Sequence, residues 1–213
     1  MTTTIAGSME AEAMGGNGRT GSSARVLGVI LAAGAGRRYG APKITAHQGD
    51  WLRKAVHVLD AGGCDEVVVA MGAQIVAPPP PATAWVIADW TSGLGATVCD
   101  VLGRVSERAD LVGVVLHVVD TPDVGPEVVA RVLEASGRSP TALVRACFHG
   151  RPGHPVYLGT AHLGPVMGTL SGDIGAGRYL AAHDDEVTVV ECGDLATGLD
   201  HDFRVGGEPP PGP

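Results

Sequence analysis

Three short apolar runs limit what this chain can fold into more than any other feature. They are Val26–Ala32 (VLGVILA), Glu66–Met71 (EVVVAM) and Leu111–Val119 (LVGVVLHVV). Each is short and β-branched-rich without strict alternation, the pattern of a strand covered on both faces. Segments with helical spacing lie between them. Trp51–Ala61 carries Trp51, Leu52, Ala55, Val58 and Leu59 on one stripe. Gly95–Val105 follows Ser92, a candidate cap, and Pro126–Ala135 opens on a proline, which suits the first helical position. Further strands are expected at Trp85–Ala88, Thr141–Cys147, His154–Leu158 and Val187–Glu191, and helices at Thr160–Met167 and Ile174–Ala182. Pro78–Pro81 should form a stiff surface turn. Such alternation predicts an α/β fold, a mostly parallel, Rossmann-like three-layer sheet. Ligands of these sheets bind outside the carboxyl ends of the strands, which selects the loops after Ala32, Ala88, Val119 and Cys147.

Composition sets the bounds. Of 213 residues, 45% are hydrophobic and 18% charged, enough core for one large domain at roughly 150 residues per domain. That domain is expected at 25–205, between a Gly/Ser/Thr-rich N-terminal extension (1–24) and a disordered tail (206–213). A net charge of −8 argues against nucleic acid as a partner. No run approaches the ~18 apolar residues of a membrane span. Cys64, Cys99, Cys147 and Cys192 are far apart with no C-x-x-C pair, and read as single thiols in a reducing compartment. The first 24 residues lack the basic-then-apolar order of a secretory leader, so a cytoplasmic location is expected.

Ala33–Lys43 (AGAGRRYGAPK) follows the first strand and packs three glycines, two arginines and a lysine into one loop. Glycines let backbone N–H groups approach an anion, and cations neutralise it, so the composition is phosphate-binding. The P-loop pattern is absent. The dinucleotide fingerprint G-x-G-x-x-G fails because Tyr39 stands where the third glycine belongs. Tyr39 and Lys43 share the Y-x-x-x-K spacing of short-chain dehydrogenases, but Pro42 breaks the helical face they would need. A nicotinamide enzyme is therefore the second choice.

Carboxylates and histidines complete the inventory. Asp120 ends the third apolar run, where a hard oxygen ligand suits Mg²⁺, with a helix cap as the alternative. Asp123 is expected to cap the helix opened by Pro126. Asp173 reads equally as a ligand or as the N-cap of Ile174–Ala182. His154, between Gly153 and Pro155, reads as a group whose hydrogen bond holds the turn. His117 is expected to be a satisfied core residue. Trp90 reads as a ligand-stacking ring or a hydrophobic plug.

Leu31–Lys43 (LAAGAGRRYGAPK) resembles the L-A-A-G-x-G-x-R-x-G-x-P-K pattern of the molybdenum-cofactor nucleotidyltransferase family. Ile87–Gly93 (IADWTSG), Val119–Asp123 (VDTPD), Arg151–Val156 (RPGHPV) and Ser171–Arg178 (SGDIGAGR) resemble further family segments, in the family's order. The resemblance implies a nucleotidyltransferase sheet of the GT-A-like type. It implies transfer of a nucleoside monophosphate from an NTP to a phosphate, with Mg²⁺ as cofactor and pyrophosphate leaving. Leu31, Ala32, Ala33, Gly34, Ala35 and Gly36 would then cradle the nucleotide, with Arg37 and Lys43 on its charges. Asp89 and Gly93 would meet the base or sugar, Asp120 and Asp173 the metal, and His154 and Asp173 the acceptor. Catalysis would fall to Arg37, Lys43 and Asp120. Ala33 and Pro42 are similar to the cytidylyl class, so CTP is the expected donor. A phosphate-bearing pterin of the molybdopterin type is the expected acceptor, and a molybdenum hydroxylase a candidate partner. Two alternatives stand beside this reading: another phosphate acceptor such as a sugar phosphate, and a non-catalytic cofactor carrier. The chain departs from the family pattern at Thr121, at Gly177, at Ile44–Asp50 and at Leu199–Phe203 (LDHDF).

Overall fold

The computed structural model describes residues 24–202. The expected extension, except for Ala24, and the expected tail lie outside the described residues. The chain runs β1 (Arg25–Ala32), α1 (Ala46–Ala61), β2 (Glu66–Met71), β3 (Thr83–Val86), α2 (Leu94–Ser106) and β4 (Leu111–Val118). It continues through α3 (Pro126–Ser136), β5 (Leu143–Phe148), β6 (Arg151–Gly159), α4 (Leu163–Met167), α5 (Gly177–Ala182) and β7 (Val187–Glu191). The seven strands form one sheet in the order β3-β2-β1-β4-β6-β5-β7. All pairings are parallel except those of β6, which runs antiparallel to β4 and β5.

Strand alternation sorts the apolar side chains into two cores. Val26, Ile30, Val67 and Val69 face α1 and α3, whereas Leu27, Val29, Val68 and Ala70 face α2, α4 and α5. The expected three-layer, mostly parallel architecture is therefore observed. The chain steps outward from β1 through β2 to β3, then crosses back through α2 to β4 on the other side of β1. The loops after β1 and β4 meet at this switch point, where open sheets of this class bind ligands.

Several boundaries differ from expectation. The third strand is Thr83–Val86 rather than Trp85–Ala88. It is a largely exposed edge strand, so pairing with β2 rather than burial sets its limits. The expected Thr141–Cys147 strand starts at Leu143, because Ser139 to Ala142 form a turn. The expected His154–Leu158 strand is the longer β6, joined to β5 by a tight turn in which His149 and Gly150 have positive φ. Pairing between β5 and β6 slips between Arg145 and Cys147. This irregularity lets Pro155, which has no N–H, sit inside the sheet, and bulges of this kind re-aim side chains near sites.

The expected helix Thr160–Met167 begins with a 3-10 turn and becomes α-helical only at Leu163. Pro165 is tolerated in a first turn but not in a helix interior. The helix expected at Ile174–Ala182 starts at Gly177, because a bridge between Ser171 and Ile174 closes a turn first. Gly93 rather than Ser92 occupies the N-cap of α2, and the Ser92 hydroxyl donates to Asp89 instead. Among the described residues no helix is long and apolar enough to cross a membrane.

Candidate functional site

Where β1 ends, the chain turns back on itself in a loop whose glycines Gly36 and Gly40 have positive φ. Gly36 has φ +60, and a side chain there would collide with the Ala41 carbonyl oxygen. The Gly40 amide donates to the Gly36 carbonyl at 2.8 Å. The loop so formed is one wall of a cavity of about 400 Å³. Leu31, Ala32, Ala33, Gly34, Ala35, Gly36, Arg37, Lys43, Gly93, Asp120 and Asp173 all border it, so the structure brings together most of the residues that the sequence singled out. Arg37 is exposed at its rim and pairs with no described residue.

Lys43 holds the centre. Its ammonium donates to Asp120 Oδ2 at 2.6 Å and to Asp202 Oδ1 at 2.7 Å. Burial alone would lower the Lys43 pKa, but hydrogen bonds and charge from both carboxylates outweigh it, and the net shift is upward. Asp202 is held below the usual carboxylate range, chiefly by the Lys43 hydrogen bond, with Arg38 adding to it from 3.2 Å. Two carboxylates thus converge on one cation, a hard-oxygen donor pair of the kind Mg²⁺ uses together with substrate phosphates. Among the described residues no group of three or more His, Cys, Asp or Glu is placed to hold a metal by itself. The expected pair was Asp120 with Asp173; Asp173 borders the same cavity, but the carboxylate that shares a cation with Asp120 is Asp202.

Asp202 was missed because it is 159 residues from Lys43 in sequence. The signal was present only as the departure LDHDF. The segment Thr197–Asp202 returns across the site and is tied down at four points. Asp123 Oδ2 accepts the Thr197 amide at 2.7 Å, the Thr197 hydroxyl and the Gly198 amide. The His201 amide donates to the Asp120 carbonyl at 3.0 Å. The His201 ring lies 5.5 Å from that of Trp51. Asp202 itself closes on Lys43. Asp123 is therefore not the cap of α3, whose N-cap is Gly125 with no side-chain bond. Burial alone would raise the Asp123 pKa, but these three donors bring it below the usual value.

Other expectations are revised. Asp173 is not a helix N-cap, since α5 is preceded by Ala176 at that position. Instead Asp173 lies against Gly93, where an added Cβ would be 2.9 Å from its Oδ1. Asp89 does not border the cavity; it precedes the 3-10 turn Trp90–Ser92. The body of Trp90 packs against Gly72 and the α2-side core, as expected of a hydrophobic plug, while one side borders the cavity.

His154 lies in the irregular part of β6. Because β6 is antiparallel to β4, its first residues lie level with the carboxyl end of β4, which carries His154 to the site's end of the sheet. It borders a second cavity rather than the first. Burial pushes its pKa down to about 4; Arg145 pushes the same way, while Asp120 and Asp200 oppose. His117 is fully buried, but it is not satisfied: among the described residues its Nδ1 has no hydrogen-bond partner. Burial lowers its pKa to about 3, with His154 contributing. The Thr121 hydroxyl, next to Asp120, is likewise buried without a partner.

Chemically, the first cavity presents backbone from a glycine loop, the cations Arg37 and Lys43 and the carboxylates of Asp120 and Asp173 at one end of a mostly parallel sheet, with Asp202 reaching Lys43 from outside its lining. That arrangement can bind a polyphosphate and neutralise charge developing on it. Residues 28–187 match the family model described as the MobA-like NTP transferase domain. Over 194 residues the chain is 31% identical to nicotine blue oxidoreductase of Paenarthrobacter nicotinovorans, covering 83% of this chain and 92% of that protein. Among solved structures it resembles Rv0371c of Mycobacterium tuberculosis H37Rv, with a TM-score of 0.65 and 23% identity over 84% of this chain and 93% of that one. A manganese complex of Rv0371c superimposes with a TM-score of 0.60 and 21% identity, covering 83% of this chain and 94% of that one. The 2-C-methyl-D-erythritol 4-phosphate cytidylyltransferase of Thermus thermophilus gives 0.58 at 22% identity, covering 83% and 93%.

Proposed function

The chain belongs to the MobA-like NTP transferase domain family, and on that footing we propose that it transfers CMP from CTP to a phosphate-bearing acceptor, releasing pyrophosphate. The observation that carries this reading is Lys43 clasped between Asp120 and Asp202 at the mouth of the glycine loop. An incoming triphosphate competes with the two carboxylates for the Lys43 ammonium, and Arg37 adds a second cation at the rim. Backbone amides of Ala33–Arg37 meet the phosphate oxygens. Asp120, with Asp202 beside it, would hold a divalent cation, which supplies charge neutralisation on the triphosphate when bound.

In-line attack by an acceptor phosphate oxygen on the α-phosphorus needs positioning and electrostatic stabilisation more than covalent help from the protein. No general base is required, because the attacking phosphate is already ionised. His154, neutral and set back in the second cavity, suits acceptor contact rather than proton transfer. The family pattern supports a molybdopterin-type pterin as the first acceptor to try, with a molybdenum hydroxylase downstream and a sugar phosphate as the competing acceptor. The test is pyrophosphate release with CTP, Mg²⁺ and each acceptor in turn. Release that depends on CTP and on one acceptor is expected; release with GTP alone would reassign the base.

One observation favours a second reading, the 31% identity to nicotine blue oxidoreductase. In that reading the same phosphate cradle holds a redox dinucleotide. Consumption of NADH or NADPH in the presence of nicotine blue, with no pyrophosphate released from any NTP, would establish it in place of nucleotidyl transfer.

A further inference from the structure

The second cavity, about 230 Å³, adjoins the first through Leu31 and Leu94. Its floor is built from four neighbouring strands. Leu31 comes from β1, Leu116 from β4, Val156 from β6 and Arg145 from β5, the last three in direct register across the sheet. Leu94 and Val98 of α2 and Leu180 of α5 form the roof.

A single cationic side chain in this apolar row demands an explanation. Arg145 is half-buried, and its hydrogen bond is a long one, from Nε to the Gly153 carbonyl at 3.3 Å. It forms no ion pair with any described carboxylate. Burial lowers its pKa, against a smaller opposing effect of Cys147. A guanidinium desolvated without a counter-ion is costly, and an anionic ligand relieves that cost. His154 lines the same cavity and is neutral, so it adds a hydrogen-bonding group without a second charge.

We propose that this cavity binds the body of the second substrate, and that this body is ring-sized, mainly apolar and carries one anionic oxygen group paired with Arg145. The inference rests on the reading of the first cavity as the nucleotide site only in naming the occupant a second substrate. It makes Arg145 a specificity-determining residue. The lining offers polar side chains only at Arg145 and His154, so ring phosphates less polar than a pterin join the acceptors to be tried.

Benzoate and phenyl phosphate are the probes, with benzyl alcohol as the neutral counterpart and inorganic phosphate as the anion without a ring. In the full-length wild-type chain, benzoate should shift the methyl resonances of Leu31, Val98, Leu116, Val156 and Leu180. Benzyl alcohol and inorganic phosphate should each bind more weakly, by roughly tenfold to a hundredfold, the worth of one charge-assisted bond or of the apolar contact. Arg145→Met should remove the preference for the anions and leave benzyl alcohol unchanged, while Arg145→Lys should retain part of it. CTP titrated into Arg145→Met should bind as it does to wild type.

Methyl shifts located elsewhere, or equal binding of benzoate and benzyl alcohol to the wild-type chain, would overturn the proposal whatever the variants do. CTP binding with no benzoate binding would sink this inference and leave nucleotidyl transfer standing. Benzoate binding with no NTP binding would do the reverse.

Discussion

Gly34 and Gly36 stand two residues apart in one loop and answer to different constraints. Gly36 adopts φ +60, with the Ala41 carbonyl where a side chain would go. Gly36→Ala should therefore destabilise the fold, by about 1–3 kcal/mol, through strain and collision. Gly34 has no such φ, and a Cβ there would meet nothing within 4 Å; it borders open cavity. Gly34→Ala should leave the melting temperature unchanged and weaken nucleotide binding by crowding the phosphates. Thermal melts paired with CTP titrations check both, and an equal loss of stability in the two variants would contradict the assignment. Lys43→Ala and Asp120→Ala should each cost about 10²–10³ in the rate of pyrophosphate release, the scale of a lost electrostatic contact to a developing charge. Lys43, Asp120 and the loop glycines were legible in the sequence because a local motif carries them. Asp202 was not, since its partner Lys43 is distant in the chain, and Arg145 was not, since no motif carries it and its place in the second cavity depends on strand order. His117 shows a subtler failure: its strand position revealed burial, whereas whether Nδ1 finds a partner depends on the neighbouring layer.

Among the elements, the segment Thr197–Asp202 has the most consequence for the site. It has neither helix nor strand, and tethers at Asp123, Trp51 and Lys43 hold it in place. Asp202 competes with the triphosphate for Lys43 and, beside Asp120, would also serve the metal. Asp202→Asn should therefore bind CTP roughly threefold to tenfold more tightly without Mg²⁺, the range of a partly exposed ion pair. With Mg²⁺ that gain should disappear. Asp123→Ala, which frees the segment at its start, should reproduce the metal-free gain. Titrations with and without Mg²⁺ read both, and weaker metal-free binding by Asp202→Asn would contradict the competition. Element boundaries were legible wherever burial fixes both ends, as in β2, which matches its expected bounds. They slipped where one interaction overrides the pattern: Pro165 in α4, the Ser171–Ile174 bridge before α5, and the exposed edge of β3.

At the scale of the whole molecule, two neutral histidines are built into the sheet. His117 and His154 have pKa values pushed from 6.5 to about 3 and about 4, by burial first. Between those values and 6.5 the unfolded chain binds more protons than the folded one, so stability rises with pH in that window and falls as acid is added. The loss between pH 6.5 and about 4 should amount to a few kcal/mol, and His117→Leu should flatten the slope. Denaturant titrations at stepped pH measure it, and a wild-type stability independent of pH across the window would contradict the burial argument. The architecture was the most legible level, because alternating strand and helix periods with parallel-type apolar runs admit few folds. The antiparallel β6 escaped it, since a single strand's composition does not state its direction. The central claim, that the glycine loop and Lys43 receive a nucleoside triphosphate, is tested most directly by calorimetry with CTP, GTP, ATP and UTP, each with and without Mg²⁺. Selective CTP binding strengthened by Mg²⁺ is the predicted result. Absence of binding by all four, with NADH or NADPH binding in their place, would contradict it.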